Sequence, residues 1–192
     1  MKIKEVEQNT KIWFEQWILK LNLCPFAHHV HAKKQIRFEI ETTKNIHKAT
    51  EKVIAELNFL ENSKKEDLDY IDTTLLVFPN LFNKSNLQGF KDFTKFYLEL
   101  TMYLEKNNLD VVFQLVMFHP NLVYGGESEN APALFTNRSP YPTLHILREE
   151  SVTKAGLNHP DVISIPDKNI EKLETLYENH PKAFNWLKSF KK

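Results

Sequence analysis

Apolar positions along the chain follow two rhythms. Between Asn9 and Leu21, Trp13, Phe14, Trp17, Ile18 and Leu21 recur every three or four places, the spacing of one helix face. Asn22 is placed to stop that helix in a left-handed turn, and Cys24-Pro25 ends it, because a residue before proline avoids the helical region. From Gln35 to Glu41 the rhythm is two: Ile36, Phe38 and Ile40 face one way, Arg37, Glu39 and Glu41 the other, as in a half-buried, edge-type strand. Thr42, Thr43 and Asn45 are candidate caps for a second helix striped by Ile46, Ala49, Val53, Leu57 and Leu60. Tyr70 to Phe78 and Val111 to Phe118 are continuous apolar runs that read as strands buried on both faces, the latter central. A helix from Gln88 to Glu105 lies between them, on Phe90, Phe93, Tyr97, Leu100 and Leu104. A tail helix spans Pro166 to Glu178, and a last short piece carries Phe184, Trp186, Leu187 and Phe190.

Strand, helix, strand, helix, strand gives two crossovers long enough to set neighbouring strands parallel. The expected fold is therefore α/β. It has a small, mainly parallel sheet of about three or four strands, crossover helices, an N-terminal helix and a C-terminal helical tail. A ferredoxin-like α+β arrangement is the rival. The whole of 1–192 reads as one α/β domain, with 179–192 as a possible helical extension.

The stretch from Phe118 to Glu149 fits neither rhythm cleanly. The loop from Asn121 to Arg138 has no periodicity and is long for a connection within a domain, which is usual for functional segments. Ser139 then resembles an N-cap with Pro140 at the first helical position, so Ser139 to Glu150 reads as a helix. A strand at Thr143 to Arg148 is the alternative, since Leu144 and Ile146 also alternate.

Composition narrows the function classes. Apolar residues make up 42% and charged residues 26%, and the net charge is zero, so nothing favours bulk nucleic-acid binding. The single cysteine excludes an internal disulfide and fits a reducing compartment. The charged start, with no apolar h-region, and the lack of a long apolar run lead us to expect a soluble, cytoplasmic protein without membrane contact.

Candidate chemistry follows from position. Ligands of open parallel sheets bind beyond the carboxyl ends of the strands. His119-Pro120 occupies one such end, Pro79-Asn80 and Thr42-Thr43 the others. Thr136-Asn137-Arg138-Ser139 before a helix start is a pattern suited to an anion, through free N–H groups, the helix dipole and a guanidinium clamp. On a helix from Ser139, the residues Tyr141, His145 and Arg148 would share one face. Cys24 is a candidate nucleophile if a histidine or arginine is brought near it, although a helix C-terminus raises a thiol pKa. His28, His29 and His31 lack a standard zinc spacing. Asp72 and Arg37 suggest a structural charge pair across neighbouring strands.

At these residues the chain resembles the bacterial and plastid family known as domain of unknown function 1415. The resemblance rests on Leu21-Asn22-Leu23-Cys24-Pro25-Phe26-Ala27, Ile71-Asp72-Thr73-Thr74-Leu75-Leu76, Phe118-His119-Pro120 and the run from Asn137 to Glu149. It spans about residues 10 to 175, with the piece after about 178 peculiar to this chain. It implies no activity, substrate or cofactor. It does imply that Cys24, His119, Asn137, Arg138, Tyr141, His145 and Arg148 occupy family motif positions. Three functions are therefore weighed. The first is an enzyme acting on a small anionic metabolite, with Asn137, Arg138, Ser139, Tyr141 and Arg148 holding the ligand and His119, His145 or Cys24 reacting. The second is a non-catalytic binding or regulatory module using the same pocket. The third is an interaction protein that docks through its aromatic tail. Cofactor and oligomeric state are left open.

Overall fold

Alternation of Ile36, Phe38 and Ile40 produces β1 (Ile36–Ile40), and the continuous apolar run after Asp72 produces β2 (Thr73–Val77), buried along its whole length. The computed structural model describes residues 2–83, 87–157 and 161–189. Within them the order is α1 (Ile3–Trp13), a π-helical segment (Phe14–Leu19), α2 (Ala27–Ala32), β1, α3 (Ile46–Asn62), β2, α4 (Leu87–Lys106), β3 (Phe113–Phe118), β4 (Thr143–Arg148), α5 (Glu149–Leu157), α6 (Ile165–Asn179) and α7 (Trp186–Ser189). Short 3-10 turns lie at Pro132–Thr136, Val162–Ser164 and Pro181–Asn185.

The fold is α/β, but its four-stranded sheet is mixed, in the order β1-β2-β4-β3. β1 and β2 are parallel, while β4 runs antiparallel between β2 and β3. The helix expected from Ser139 is thus a strand. Ser139 and Tyr141 each precede a proline, which drives both toward extended backbone, and β4 follows directly. The insertion also moves β3 from the expected centre to an edge. Only the β1–β2 crossover joins neighbours.

Two faces of the sheet carry two cores. On one, Leu76, Phe78, Phe113, Leu115, Leu144 and Ile146 pack under α3 and α4 through Val53, Leu57, Phe93 and Phe96. On the other, Ile36, Phe38, Leu75 and Phe118 meet Trp13, Phe14, Trp17 and Ile18 from α1 and the π-helical segment. Asn45 caps α3, its side-chain oxygen accepting from the N–H groups of His47 (2.9 Å) and Lys48 (3.3 Å), which is the usual N-cap role. Asn22 takes the left-handed conformation, φ 49°. The π-helical segment shows an i to i−5 bond, Lys20 N–H to Glu15 O at 3.0 Å, and Asn22 ends it in a Schellman cap, with Asn22 N–H on Leu19 O (2.9 Å) and Leu23 N–H on Ile18 O (3.0 Å). The tail folds back, with Phe184 and Leu187 buried against Trp17 and Phe135. Phe190 lies outside the described residues.

Arg37 and Asp72 do not pair with each other. Arg37 binds Glu56 (3.0 Å) and Glu39 (2.6 Å), joined by Lys52. Asp72 lies 3.7 Å from Arg148 Nε and accepts from Tyr70 (2.8 Å) and Ser151 (2.7 Å).

Candidate functional site

The candidate residues separate into two ends and one face of the sheet. At the end where β1, β2 and β3 finish, the segment from His119 to Pro142 is fastened by its own polar groups. His119 is 0% exposed. Its Nε2 lies 3.1 Å from the carbonyl of Phe82, which can only accept, so Nε2 carries the proton. Its Nδ1 accepts from the Asn121 N–H at 3.0 Å. The ring packs beside Phe90 and Phe93, 5.5 and 5.8 Å between centroids.

Arg138 points inward. Its guanidinium donates to the carbonyls of Leu122 (3.1 and 3.2 Å) and Glu129 (2.7 Å) and lies over the Phe135 ring at 4.9 Å. Burial pushes its pKa below the ordinary value, opposed by the Glu129 carboxylate. Asn137 accepts from the Tyr124 hydroxyl at 2.9 Å through its side chain and from His119 N–H at 3.1 Å through its carbonyl. The hydroxyls of Ser139 and Thr143 both donate to Tyr141 O, at 2.6 and 2.8 Å. The Tyr141 hydroxyl accepts from Asn9 at 2.9 Å, and burial raises its pKa. These groups hold one another and tie both ends of the segment to the sheet end.

Arg148 lies at the opposite end of the sheet. It donates to the carbonyls of Leu60, Ser63 (3.1 Å) and Ile71 (3.4 Å) and lies over the Tyr70 ring at 5.3 Å. A cation on the last carbonyls of α3 is favourably placed against the helix dipole. On a strand, Arg148 and His145 alternate to opposite faces, so the shared helical face of Tyr141, His145 and Arg148 does not form.

His145 is in the middle of β4, in the row Phe38, Leu75, His145, Val116 across the sheet. Its Nε2 is 2.7 Å from the Thr73 hydroxyl, which is 2.6 Å from Ile146 O. The carbonyl can only accept, so the hydroxyl proton goes to it and the imidazole donates from Nε2. Nδ1 then bears the lone pair. Among the described residues no protein group hydrogen-bonds to it, and the residue is half-buried. Desolvation alone pulls the imidazole pKa down to about 4, although the residue keeps a little exposed area. Around it, Val116 and Leu147 are half-buried and Gln114 is exposed.

Cys24 is packed at the margin of the aromatic core beside the π-helical segment. Burial raises its thiol pKa, against the lowering effect of the Ala27 and Phe26 N–H groups. Neither Cys24 nor His145 bonds to a carboxylate or to the other. His28, His29 and His31 lie exposed on α2, and among the described residues no three His, Cys, Asp or Glu side chains converge as a metal site would require. Two open depressions, about 540 Å³ at Val111, Glu149 and Leu157 and about 610 Å³ at Met102 and Tyr103, contain none of the candidate ligand-binding or catalytic residues. No helix among the described residues is long and apolar enough to cross a membrane.

Sequence reasoning missed Thr73, which fixes the His145 tautomer. A threonine opposite a histidine on a neighbouring strand becomes a signal only once the strand order is known.

These features define a mixed α/β protein with a strand-end segment anchored by its own polar groups and, among the described residues, one histidine nitrogen on a sheet face with no protein partner. The family described as "Protein of unknown function (DUF1415)" matches residues 5–183, and the chain belongs to it. The match runs further into the tail than the motifs alone implied. No curated protein and no solved structure matches the chain.

Proposed function

We propose that this protein binds a small molecule on the β3–β4 part of the sheet, with His145 Nδ1 as the polar contact, and that it recognises the molecule rather than transforming it. The observation that carries this reading is the contrast in ring nitrogens: both nitrogens of His119 are taken by main chain, whereas Nδ1 of His145 is unused. Recognition is favoured over catalysis by magnitude. A general base works best with a pKa near the working pH, and an imidazole at about 4 is always unprotonated near neutrality but weakly basic. A thiol whose pKa is raised adds no nucleophile.

The rival reading is an anionic metabolite held by the 136–148 motif and acted on by His119. The guanidinium groups of Arg138 and Arg148 donate to main-chain carbonyls, which weighs against it. Docking through the aromatic tail is weakened by the burial of Phe184 and Leu187.

The test is a thermal-melt panel of amides, alcohols, carboxylates, nucleotides and sugar phosphates on the wild type and His145→Phe. A ligand at a hundred times its Kd stabilises by about 2.7 kcal/mol. One class should raise the wild-type midpoint and leave the variant unmoved. Equal responses to every class remove His145 from the site. An anion class that stabilises both proteins alike returns the site to Arg138.

A further inference from the structure

One side of α4 is spent on the core, through Phe93, Phe96, Leu100 and Leu104. On the other side Gln88, Lys91, Lys95, Leu98, Met102 and Glu105 are all exposed. They are spaced by three and four residues in turn, the 3.5-residue repeat of a helix seam that pairs with another helix. A solvated face is polar throughout, yet the middle of this one is apolar: Leu98 is 54% and Met102 67% exposed. Beside Met102 the surface is an open depression of about 610 Å³, lined also by Glu99, Tyr103, Glu105 and Lys106, so among the described residues nothing covers this end of the seam. Charges along the seam are ordered, with Lys91 and Lys95 before the apolar pair and Glu105 after it.

We propose that α4 pairs with α4 of a second copy of this chain, antiparallel, about a two-fold axis at the level of Leu100. Charge complementarity selects this occupant. Lys95 and Glu105 lie five residues to either side of position 100, and Leu98 and Met102 lie two to either side, so one axis serves both pairs. Each Leu98 then packs on Met102 of the second copy, and each Lys95 meets its Glu105. A parallel copy would set lysine on lysine and glutamate on glutamate, which is repulsive. The two-fold contact also closes on itself, giving a dimer and no larger array. Within its own helix Lys95 lies 3.9 Å from Glu99, with side chains 80% and 58% exposed; so exposed a pair is weak and does not compete. The seam is short, so the association is transient rather than obligate. It is independent of the His145 site.

Sedimentation equilibrium of the full chain from about 10 μM to about 1 mM reads the association. The wild type should pass from monomer to dimer within that range. Lys95→Glu and Glu105→Lys should each weaken the dimer about tenfold, because each change acts in two contacts at once. The double variant should regain it. An equal mixture of the two single variants should form a mixed dimer at concentrations where each alone is monomeric, a rescue that a folding defect does not produce. Circular dichroism checks that each variant keeps its helices. A wild type that stays monomeric throughout overturns the proposal and leaves the seam to a partner of other chemistry. A dimer indifferent to both reversals, or weakened by them without rescue in the double variant and the mixture, overturns it too and puts the contact on another surface.

Discussion

His119 and His145 are two histidines, one at a strand end and one within a strand, and their surroundings treat their ring nitrogens differently. At His119 the main chain occupies both ring nitrogens and two phenylalanines close the sides. At His145 a threonine sets the tautomer from one side and leaves the other nitrogen open. Position beyond a strand end, the usual marker of a ligand site in open sheets, here marks an anchor for the 119–142 segment. On the proposed reading, the ligand contact comes instead from β4, the antiparallel strand between β2 and β3.

The contrast is broken most forcefully at the sealed end. His119→Ala removes a fully buried ring and leaves the Phe82 carbonyl and Asn121 N–H unmatched, so it should lower stability by about 3–5 kcal/mol in urea unfolding. The equivalent loss for His145→Phe should stay under about 1.5 kcal/mol. Equal losses would erase the distinction. Arg138→Met keeps the stem but strands the carbonyls of Leu122 and Glu129. It should cost about 2–3 kcal/mol and speed amide exchange first in residues 119–142.

A pH effect comes next. Folding depresses the His145 pKa from 6.5 to about 4, so the unfolded chain binds the proton more readily. His145 thus contributes stability that is present above about pH 6.5 and is lost as pH falls toward 4. The loss should be on the order of 2–3 kcal/mol, seen as a falling urea midpoint that His145→Phe flattens. The smallest effect is Thr73→Val, which should cost about 1 kcal/mol and free the ring to populate both tautomers, read from its nitrogen-15 shifts.

Much of this architecture was legible in the chain. The helical stripe from Ile46 to Leu60, the Asn45 cap and the left-handed Asn22 are local devices, and they stand where residue chemistry puts them. The strand order was not legible. Phe113 to Phe118 reads as central, yet it is an edge, because only tertiary pairing decides that β4 enters between it and β2. The Ser139-Pro140-Tyr141-Pro142 run carried two opposed signals. An N-cap with proline after it suggested a helix, whereas each residue before a proline favours extended backbone. The second prevailed, since the alternation of Leu144 and Ile146 with Thr143 and His145 buries a strand on both faces. The site candidates depended on that choice: a helix would have aligned His145 with Arg148, and the strand sends them apart.

Nitrogen-15 NMR of the histidine rings across pH 3.5 to 8 tests the central claim most directly. The account predicts that both His119 and His145 carry their proton on Nε2, that His119 Nδ1 has the shift of a hydrogen-bonded acceptor insensitive to added ligand, and that His145 stays neutral until about pH 4 with an Nδ1 that answers to ligand. A His145 that carries its proton on Nδ1, or that titrates near 6.5, would contradict it.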